Sequence, residues 1–248
     1  MAKKIAVVWA SKGGLGDVGK FAASHAALRG SAVELTAVAL SEDGAATGVE
    51  STEVFPATRA EKLQETLKDV EIKKVNIKSE DAEESLATIF SGVDAVIACP
   101  GSRQSGIATT CTIGARKIVA AMKKAKVERL VVLSSFGIGD DYMPSSVLKF
   151  FWGFLLRVVW PTMRRDVEGM EKIVKESGLE YLIVRPMGVD PKELPVGSYA
   201  ILTARGQGSL PLTVAKDDVG LFLLEEAVAP KHTKTGVTIG KDKTATVV

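Results

Sequence analysis

Short runs rich in valine and isoleucine alternate with longer amphipathic stretches along this chain. A run that is apolar at every position is typical of a strand buried on both faces, as in a parallel sheet between two layers of helices. The alternation therefore predicts an α/β fold with a Rossmann-type, doubly wound parallel sheet. The predicted strands are Ile5–Trp9, Val33–Val38, Lys74–Ile77, Ala95–Cys99, Leu130–Leu133 and Tyr181–Val184, and the predicted helices are Lys20–Leu28, Ser79–Phe90, Thr112–Ala125 and Met163–Lys175.

The alternation weakens in two places. Ser41 to about Ala60 is rich in glycine and acidic residues and is predicted to be a loop, and the charged segment Lys62–Lys78 is predicted to be a solvated face. A length of 248 residues suits one domain. We therefore expect a single domain in which residues 187–248 contribute a small C-terminal lobe of short antiparallel pieces. The predicted elements of that lobe are a helix, Asp218–Val228, and a closing strand, Val237–Ile239.

The balance of charge and the apolar segments limit the partners of the chain. With 32 basic and 30 acidic residues, the net charge of +2 gives no reason to expect a nucleic acid. The longest apolar stretch, Phe150–Trp160, is shorter than the roughly 20 residues of a spanning helix, so no membrane span is expected. It is predicted to be a packing helix, the wall of a pocket, or a docking face for a protein or a membrane surface. No secretory signal precedes the first strand, which predicts a cytoplasmic protein, or a protein of an organelle stroma if a transit peptide has been removed.

The cysteines and histidines are few. Cys99 and Cys111 are too few for a disulfide framework and are expected to be reduced, buried thiols. His25 and His232 lie far apart in the sequence and lack partners at ligand spacing, so no metal site is expected.

A cluster of glycines carries the most chemical information. Gly13, Gly16 and Gly19 are spaced three apart, after the first predicted strand and before the first predicted helix. Such a turn lets the backbone approach a pyrophosphate, whose charge then meets the N–H groups at the start of the helix. The spacing GxxGxxG is typical of extended short-chain dehydrogenases.

The same cluster is open to three other interpretations. Gly14 to Lys20 matches a Walker A phosphate loop except at the last position, where Phe21 lacks the hydroxyl that binds Mg²⁺. Asp17 stands where a variant of that loop has its lysine, so a nucleotidase is disfavoured. Residues 11–17 resemble the N-terminal loop of bacterial glycogen and starch synthases, but the chain is too short for their two domains. The third interpretation is that the glycines form a turn that binds no ligand.

From Val93 onward, the sequence resembles atypical short-chain dehydrogenases/reductases of the NmrA-like, NAD(P)-binding family, and especially its flavin reductases. The resemblance covers most of the chain and is looser over residues 3–30. Residues 148–154 also look like plastid translocon-associated members of the superfamily. The motifs are VDAVI at 93–97, GSR at 101–103, GARKIVAAMK at 114–123, SSF at 134–136, MEKIVKESGLEY at 170–181, RP at 185–186, GSY at 197–199, GQG at 206–208 and KDDVG at 216–220.

The resemblance implies a nicotinamide dinucleotide as cofactor, NADP or NAD, with NADP slightly favoured. Ser135 would be the catalytic residue, because its hydroxyl would reach the nicotinamide side. The implied cofactor-binding residues are Gly13, Gly16 and Gly19 at the pyrophosphate, Asn76 beside the adenine, Gly101, Ser102 and Arg103 at the ribose and phosphates, Ser134 at the end of the fifth strand, and Pro186 over the nicotinamide.

The sequence departs from the family pattern in three ways. Residues 10–12 stand as extra residues between the first strand and the glycines, which predicts a longer phosphate turn. Val38–Ser41 offers no arginine for the 2′-phosphate of NADP, a role that would fall to Lys12 or Arg103. The Tyr-x-x-x-Lys pair is missing, since Tyr142 is followed four places on by a serine. Tyr142 is therefore expected to be a loop aromatic, because no lysine lowers the pKa of its phenol.

Without that pair, the simplest chemistry is hydride transfer by orientation alone to a planar acceptor such as a flavin, tetrapyrrole or quinone. Solvent or Ser135 would then supply the proton. The alternative is a non-catalytic NAD(P)-binding redox sensor or scaffold, which the missing pair fits equally well. An epimerase or dehydratase of nucleotide sugars is disfavoured for the same reason. We expect a monomer or a weak dimer.

Overall fold

The structure, a computed structural model, describes residues 1–10, 16–41, 57–101, 110–138, 161–190, 192–202, 213–242 and 244. A short 3₁₀ helix, Gly30–Ala32, precedes the second strand. The α-helices of these segments are α1 (Gly16–Leu28), α2 (Ala57–Leu67), α3 (Ala82–Ile89), α4 (Thr110–Ala125), α5 (Pro161–Lys175) and α6 (Lys216–Val228). The strands are β1 (Lys3–Ala10), β2 (Val33–Ser41), β3 (Ile72–Asn76), β4 (Ala95–Cys99), β5 (Arg129–Leu133), β6 (Glu180–Pro186), β7 (Gly188–Asp190), β8 (Tyr199–Leu202), β9 (Thr213–Ala215) and β10 (Thr235–Lys241).

The main sheet has the strand order β3-β2-β1-β4-β5-β6-β10-β8. Its pairs are parallel except at the edge, where β8 runs antiparallel to β10. The chain proceeds outward from β1 in one direction and then from β4 in the other, so the strand order reverses between these two strands. Open α/β sheets bind their ligands at the carboxyl ends of the strands beside such a reversal.

Two apolar layers cover the sheet. Because successive strand residues point to opposite faces, alternate residues of β1 belong to different cores: Val7 and Trp9 lie in one core, and Ala6 and Val8 in the other. The first core is completed by α1, α2 and α6, and the second by α3, α4 and α5. The predicted doubly wound α/β fold is therefore confirmed.

Several predicted boundaries were wrong. Helix α1 begins at Gly16, so Gly16 and Gly19 lie within its first turns and not before it. Ala10 is the last residue of β1 and not an insertion after it. Helix α2 begins inside the segment predicted to be a loop, because Leu63 and Leu67 are buried four residues apart on one helical face. Of the antiparallel pieces predicted within residues 187–248, β8 does pair antiparallel with β10, whereas β7 and β9 pair in parallel.

Candidate functional site

Five of the candidate residues that the structure describes lie at the carboxyl ends of the parallel strands. Asn76 and Pro186 are the last residues of β3 and β6, Gly101 lies two residues beyond β4, and Ser134 and Ser135 follow β5 directly. The parallel pairing brings these ends to one edge of the sheet, on both sides of the reversal between β1 and β4. Three other candidate residues, Gly13, Ser102 and Arg103, lie outside the described residues, as do Lys12, Tyr142 and Phe150–Trp160.

Two glycines allow the start of α1 to approach the sheet closely. A Cβ atom on Gly16 would lie 2.2 Å from the carbonyl oxygen of Ala10, and one on Gly19 would lie 2.6 Å from the Cβ of Trp9 and 3.2 Å from that of Cys99. Real Cβ atoms do not approach other atoms so closely, so both positions require glycine. The first turn of α1 is thereby held against the ends of β1 and β4, where its N–H groups can face a pyrophosphate.

Helix α4 also begins at this edge, but its N-terminus is already occupied. The backbone N–H groups of Cys111 and Thr112 donate to the two carboxylate oxygens of Asp166 at 2.9 and 2.8 Å, and the hydroxyl of Thr112 donates to the Asp166 carbonyl. Asp166 belongs to α5 and is buried. An aspartate of a neighbouring helix therefore caps α4 in the way that an N-cap residue usually does.

The ends of β2 and β3 bring two polar side chains side by side. Ser41 and Asn76 are register partners, and Ser41 is 5% exposed. The hydroxyl oxygen of Ser41 is buried, and no described residue forms a hydrogen bond with it. The side-chain oxygen of Asn76, the residue predicted to lie beside the adenine, accepts a hydrogen bond from the backbone N–H of Lys78 at 3.0 Å.

Ser134 is held by an ionic network that sequence reasoning missed. Its hydroxyl donates to Oε1 of Glu171 at 2.6 Å, and the Arg185 guanidinium donates to both Glu171 oxygens at 2.8 and 2.7 Å. Burial acts to raise the pKa of Glu171, but the hydrogen bonds from Arg185 and Ser134 outweigh it, so the pKa lies below its ordinary value. The hydroxyl of Ser134 thus braces β5, β6 and α5, a contact that no local pattern reveals because Ser134 and Glu171 are 37 residues apart.

Ser135 differs from its neighbour. It is half-buried, and within the described segments its hydroxyl makes only a long contact of 3.5 Å, to the carbonyl oxygen of Phe136. The turn that carries it is fixed to β6, because the N–H of Phe136 donates to the carbonyl of Pro186 at 3.3 Å. The structure therefore brings Ser135 and Pro186 together at the end of two adjacent strands.

These features fit a nicotinamide dinucleotide. The start of α1 approaches β1 and β4 as closely as glycine permits, and two buried polar atoms at this edge, Nε1 of Trp9 and Oγ of Ser41, have no hydrogen-bond partner among the described residues. Buried polar groups are normally hydrogen-bonded, so these two atoms are candidate partners for a ligand at this edge. Gly16, Gly19 and Ser41 would hold the diphosphate and the adenosine half.

Other reactive side chains at or near this edge are inert or occupied. Cys99 and Cys111 are free thiols, and burial raises the pKa of both. Burial also raises the pKa of Tyr199, and its hydroxyl donates to Glu225. In the part of the chain that the structure describes, no helix has the length and apolar character needed to cross a membrane.

Comparison with known proteins agrees with the geometry. The model of a family described as NAD(P)H-binding matches residues 50–230, a span that begins beyond the glycine cluster. Protein TIC 62 of the Arabidopsis thaliana chloroplast is 29% identical over 166 residues, which cover 63% of this chain and 23% of that protein. The matched segment thus spans about a quarter of its relative.

Solved structures share the fold. A short-chain dehydrogenase/reductase from Veillonella parvula, in complex with NADP, is 14% identical and superposes with a TM-score of 0.63 over 99% of this chain and 98% of its own. An oxidoreductase from Lactococcus lactis is 19% identical, with a TM-score of 0.63 over 98% of this chain and 92% of its own.

Proposed function

The chain belongs to the NAD(P)H-binding family, and we propose that it is an NAD(P)H-dependent oxidoreductase that passes a hydride to a planar acceptor such as a flavin, a tetrapyrrole or a quinone. The observation that carries this proposal is the Ser135 hydroxyl. It is half-buried at the carboxyl end of β5, and its one contact with the residues that the structure describes is long, at 3.5 Å. A hydroxyl in this state is free to donate a hydrogen bond to a bound acceptor.

The bound nicotinamide would supply the hydride, so the task of the protein is to orient the acceptor and manage one proton. Gly16 and Gly19 would hold the diphosphate at the start of α1, and Pro186 would cover the nicotinamide side. Ser135 would hold a proton at Oγ, close to the oxygen or nitrogen of the acceptor that gains charge. Orientation of this kind needs no strong acid, which agrees with the missing Tyr-x-x-x-Lys pair.

The test uses adjacent serines as a matched pair. The purified protein is mixed with NADH or NADPH and with FMN, a quinone or biliverdin, and cofactor oxidation is followed by absorbance. Ser135→Ala should slow turnover about ten- to a hundredfold while the Kd of the cofactor stays within about twofold. Ser134→Ala should lower the free energy of unfolding by about 1–3 kcal/mol, because it removes a buried hydrogen bond to a carboxylate, and leave turnover per folded molecule unchanged. Equal turnover of wild type and Ser135→Ala would contradict the assignment.

The second candidate is a dinucleotide-binding sensor or scaffold that does not turn the cofactor over. The observation in its favour is that none of the three tyrosines is followed four places on by lysine. Among them, the hydroxyl of Tyr199 is bonded to Glu225. Phe150–Trp160 would then be the docking face for a protein or a membrane surface. Saturable cofactor binding without oxidation by any of the three acceptor classes would select this function.

A further inference from the structure

Three fully buried charged groups join the first turn of α1 to the first residue of α6. Asp17 and Lys20 are 0% exposed and Lys216 is 1% exposed. One carboxylate oxygen of Asp17 lies 3.1 Å from Nζ of Lys20, and the other lies 2.6 Å from Nζ of Lys216, which is 199 residues away in the sequence. The Asp17 carboxylate is therefore directed into the contact between α1 and α6.

The position of Asp17 poses an electrostatic problem for a dinucleotide site. It lies in the first turn of α1, whose N–H groups and positive dipole end are the expected site for the diphosphate. A carboxylate there competes for the same N–H groups and repels the diphosphate, and both effects are strong where water is excluded. The carboxylate must be held aside and neutralised for the helix start to bind an anion well.

We propose that Lys216 is a positioning residue of the dinucleotide site: it draws the Asp17 carboxylate toward α6 and neutralises it, so that the start of α1 is left for the diphosphate. This inference rests on the proposed cofactor binding and deepens it. Lys216 lies within residues 187–248, the predicted C-terminal lobe. That lobe would therefore contribute to cofactor affinity through its contact with Asp17 of α1.

The packing of α1 against α6 fixes Lys216 in place. A Cβ on Gly220 would lie 2.8 Å from the backbone nitrogen of Ala22, so the two helices are as close as glycine allows. His25 lies one helical turn after Ala22 on α1. Its Nε2 is 2.8 Å from the carboxylate of Asp217, the residue after Lys216. The close contact between α1 and α6 fixes the position of the Lys216 ammonium. The ammonium in turn fixes the orientation of the Asp17 carboxylate.

The inference is tested by a double-mutant cycle on cofactor affinity. Lys216→Met removes the charge at similar volume and should raise the Kd for NADH and NADPH about ten- to a hundredfold, the range expected for one charged hydrogen bond. Asp17→Asn in the Lys216→Met background should restore the Kd to within about threefold of wild type, because no carboxylate is left to repel the diphosphate. Kd is measured by nicotinamide fluorescence, so no turnover is needed.

Controls separate this role from a merely structural one. Arg129→Gln disturbs another buried ion pair of α6, with Glu226 at 3.3 Å, at the amino end of β5. It should lower Tm without changing Kd. The loss in Lys216→Met should also appear for ADP and be absent for adenosine, which has no phosphate. If Lys216→Met does not fold, Asp17→Asn alone decides: a Kd equal to or below that of wild type supports the inference, and a tenfold rise overturns it.

Two failures are distinguishable. A wild-type protein that binds neither cofactor contradicts the proposed function itself. A wild-type protein that binds, together with an unchanged Kd in Lys216→Met or no recovery in the double mutant, contradicts the role of Lys216 alone.

Discussion

The N-termini of α1 and α4 lie at the same edge of the sheet and each has a buried aspartate beside it, but the two carboxylates have different partners. At α4, the carboxylate of Asp166 takes the N–H groups of Cys111 and Thr112. At α1, the carboxylate of Asp17 contacts two buried lysines, Lys20 and Lys216. The difference teaches that the protein itself fills one helix start, whereas the other is the one that we propose for an anion.

The largest expected effect compares a glycine of each helix. Gly16→Ala places a Cβ 2.2 Å from a backbone oxygen, whereas Gly114→Ala, on α4, places one 3.1 Å from the Cβ of Pro100. We expect Gly16→Ala to lower the free energy of unfolding by about 3 kcal/mol and to abolish cofactor binding, and Gly114→Ala to cost about 1 kcal/mol or less. Urea unfolding and cofactor titration measure both. Equal effects of the two variants would remove the distinction between the helices.

The next effect concerns α5, which contains both Asp166, the residue that caps α4, and Glu171, the residue that accepts the hydrogen bond of Ser134. Glu171→Gln weakens a buried ionic network and should lower the free energy of unfolding by about 2–4 kcal/mol at pH 7. Contacts with Arg185 and Ser134 hold the pKa of Glu171 below its ordinary value of 4.5. At pH values above 4.5 the carboxylate is therefore charged in both the folded and the unfolded state, and the network stabilises the fold in full. Its contribution is lost as the pH falls through the lower folded-state pKa.

Urea unfolding at several pH values checks this dependence. The difference in stability between wild type and Glu171→Gln should be constant from pH 7 to about 5 and should shrink below 4.5. A difference that grows as the pH falls would have the wrong sign for a lowered pKa.

A smaller effect is expected at the cap of α4. Asp166→Asn leaves one acceptor for two N–H donors and should cost about 1–2 kcal/mol of stability. The Kd of the cofactor should change less than about twofold, since the anion site that we propose is at α1 and not at α4. Differential scanning calorimetry and fluorescence titration give the two values. A marked gain or loss of affinity would mean that α4 also takes part in binding.

The smallest effect concerns the choice of cofactor at the end of β2. Residues 42–58 carry four carboxylates and neither lysine nor arginine, and the buried Ser41 hydroxyl suits a ribose hydroxyl better than a phosphate dianion. We therefore expect NADH to bind about fivefold more tightly than NADPH, in contrast to the slight preference for NADP that the family resemblance implies. Tighter binding of NADPH would point to Lys12 or Arg103 as its partner.

The sequence was most informative where a structural rule acts locally. The Val- and Ile-rich runs predicted β1, β4, β5 and β6 to within two residues, because strands buried on both faces are apolar throughout. Helix α2 was missed, because Leu63 and Leu67 are its only buried residues among those whose side chains the structure describes, and most of its other residues are polar. The start of α1 was placed too late, since glycines usually signal a turn, whereas here they allow helix and sheet to touch.

The charged contacts could not be predicted, because they are formed by the fold. Asp17 meets Lys216 across 199 residues, and Asp166 caps a helix that begins more than 50 residues earlier. In the sequence, Asp17 counted against a nucleotidase, because it stands where a variant phosphate loop has its lysine. The structure shows its carboxylate in contact with Lys20 and Lys216, and no pattern in the sequence predicts the second of these contacts.

The central claim is tested most directly by titrating the purified wild-type protein with NADH and NADPH. The Gly16→Ala variant is titrated in parallel as the negative control. We predict saturable one-to-one binding that quenches or shifts nicotinamide fluorescence in the wild type and is absent in Gly16→Ala. No saturable binding of either cofactor, or equal binding by Gly16→Ala, would contradict the claim that the start of α1 is the dinucleotide site.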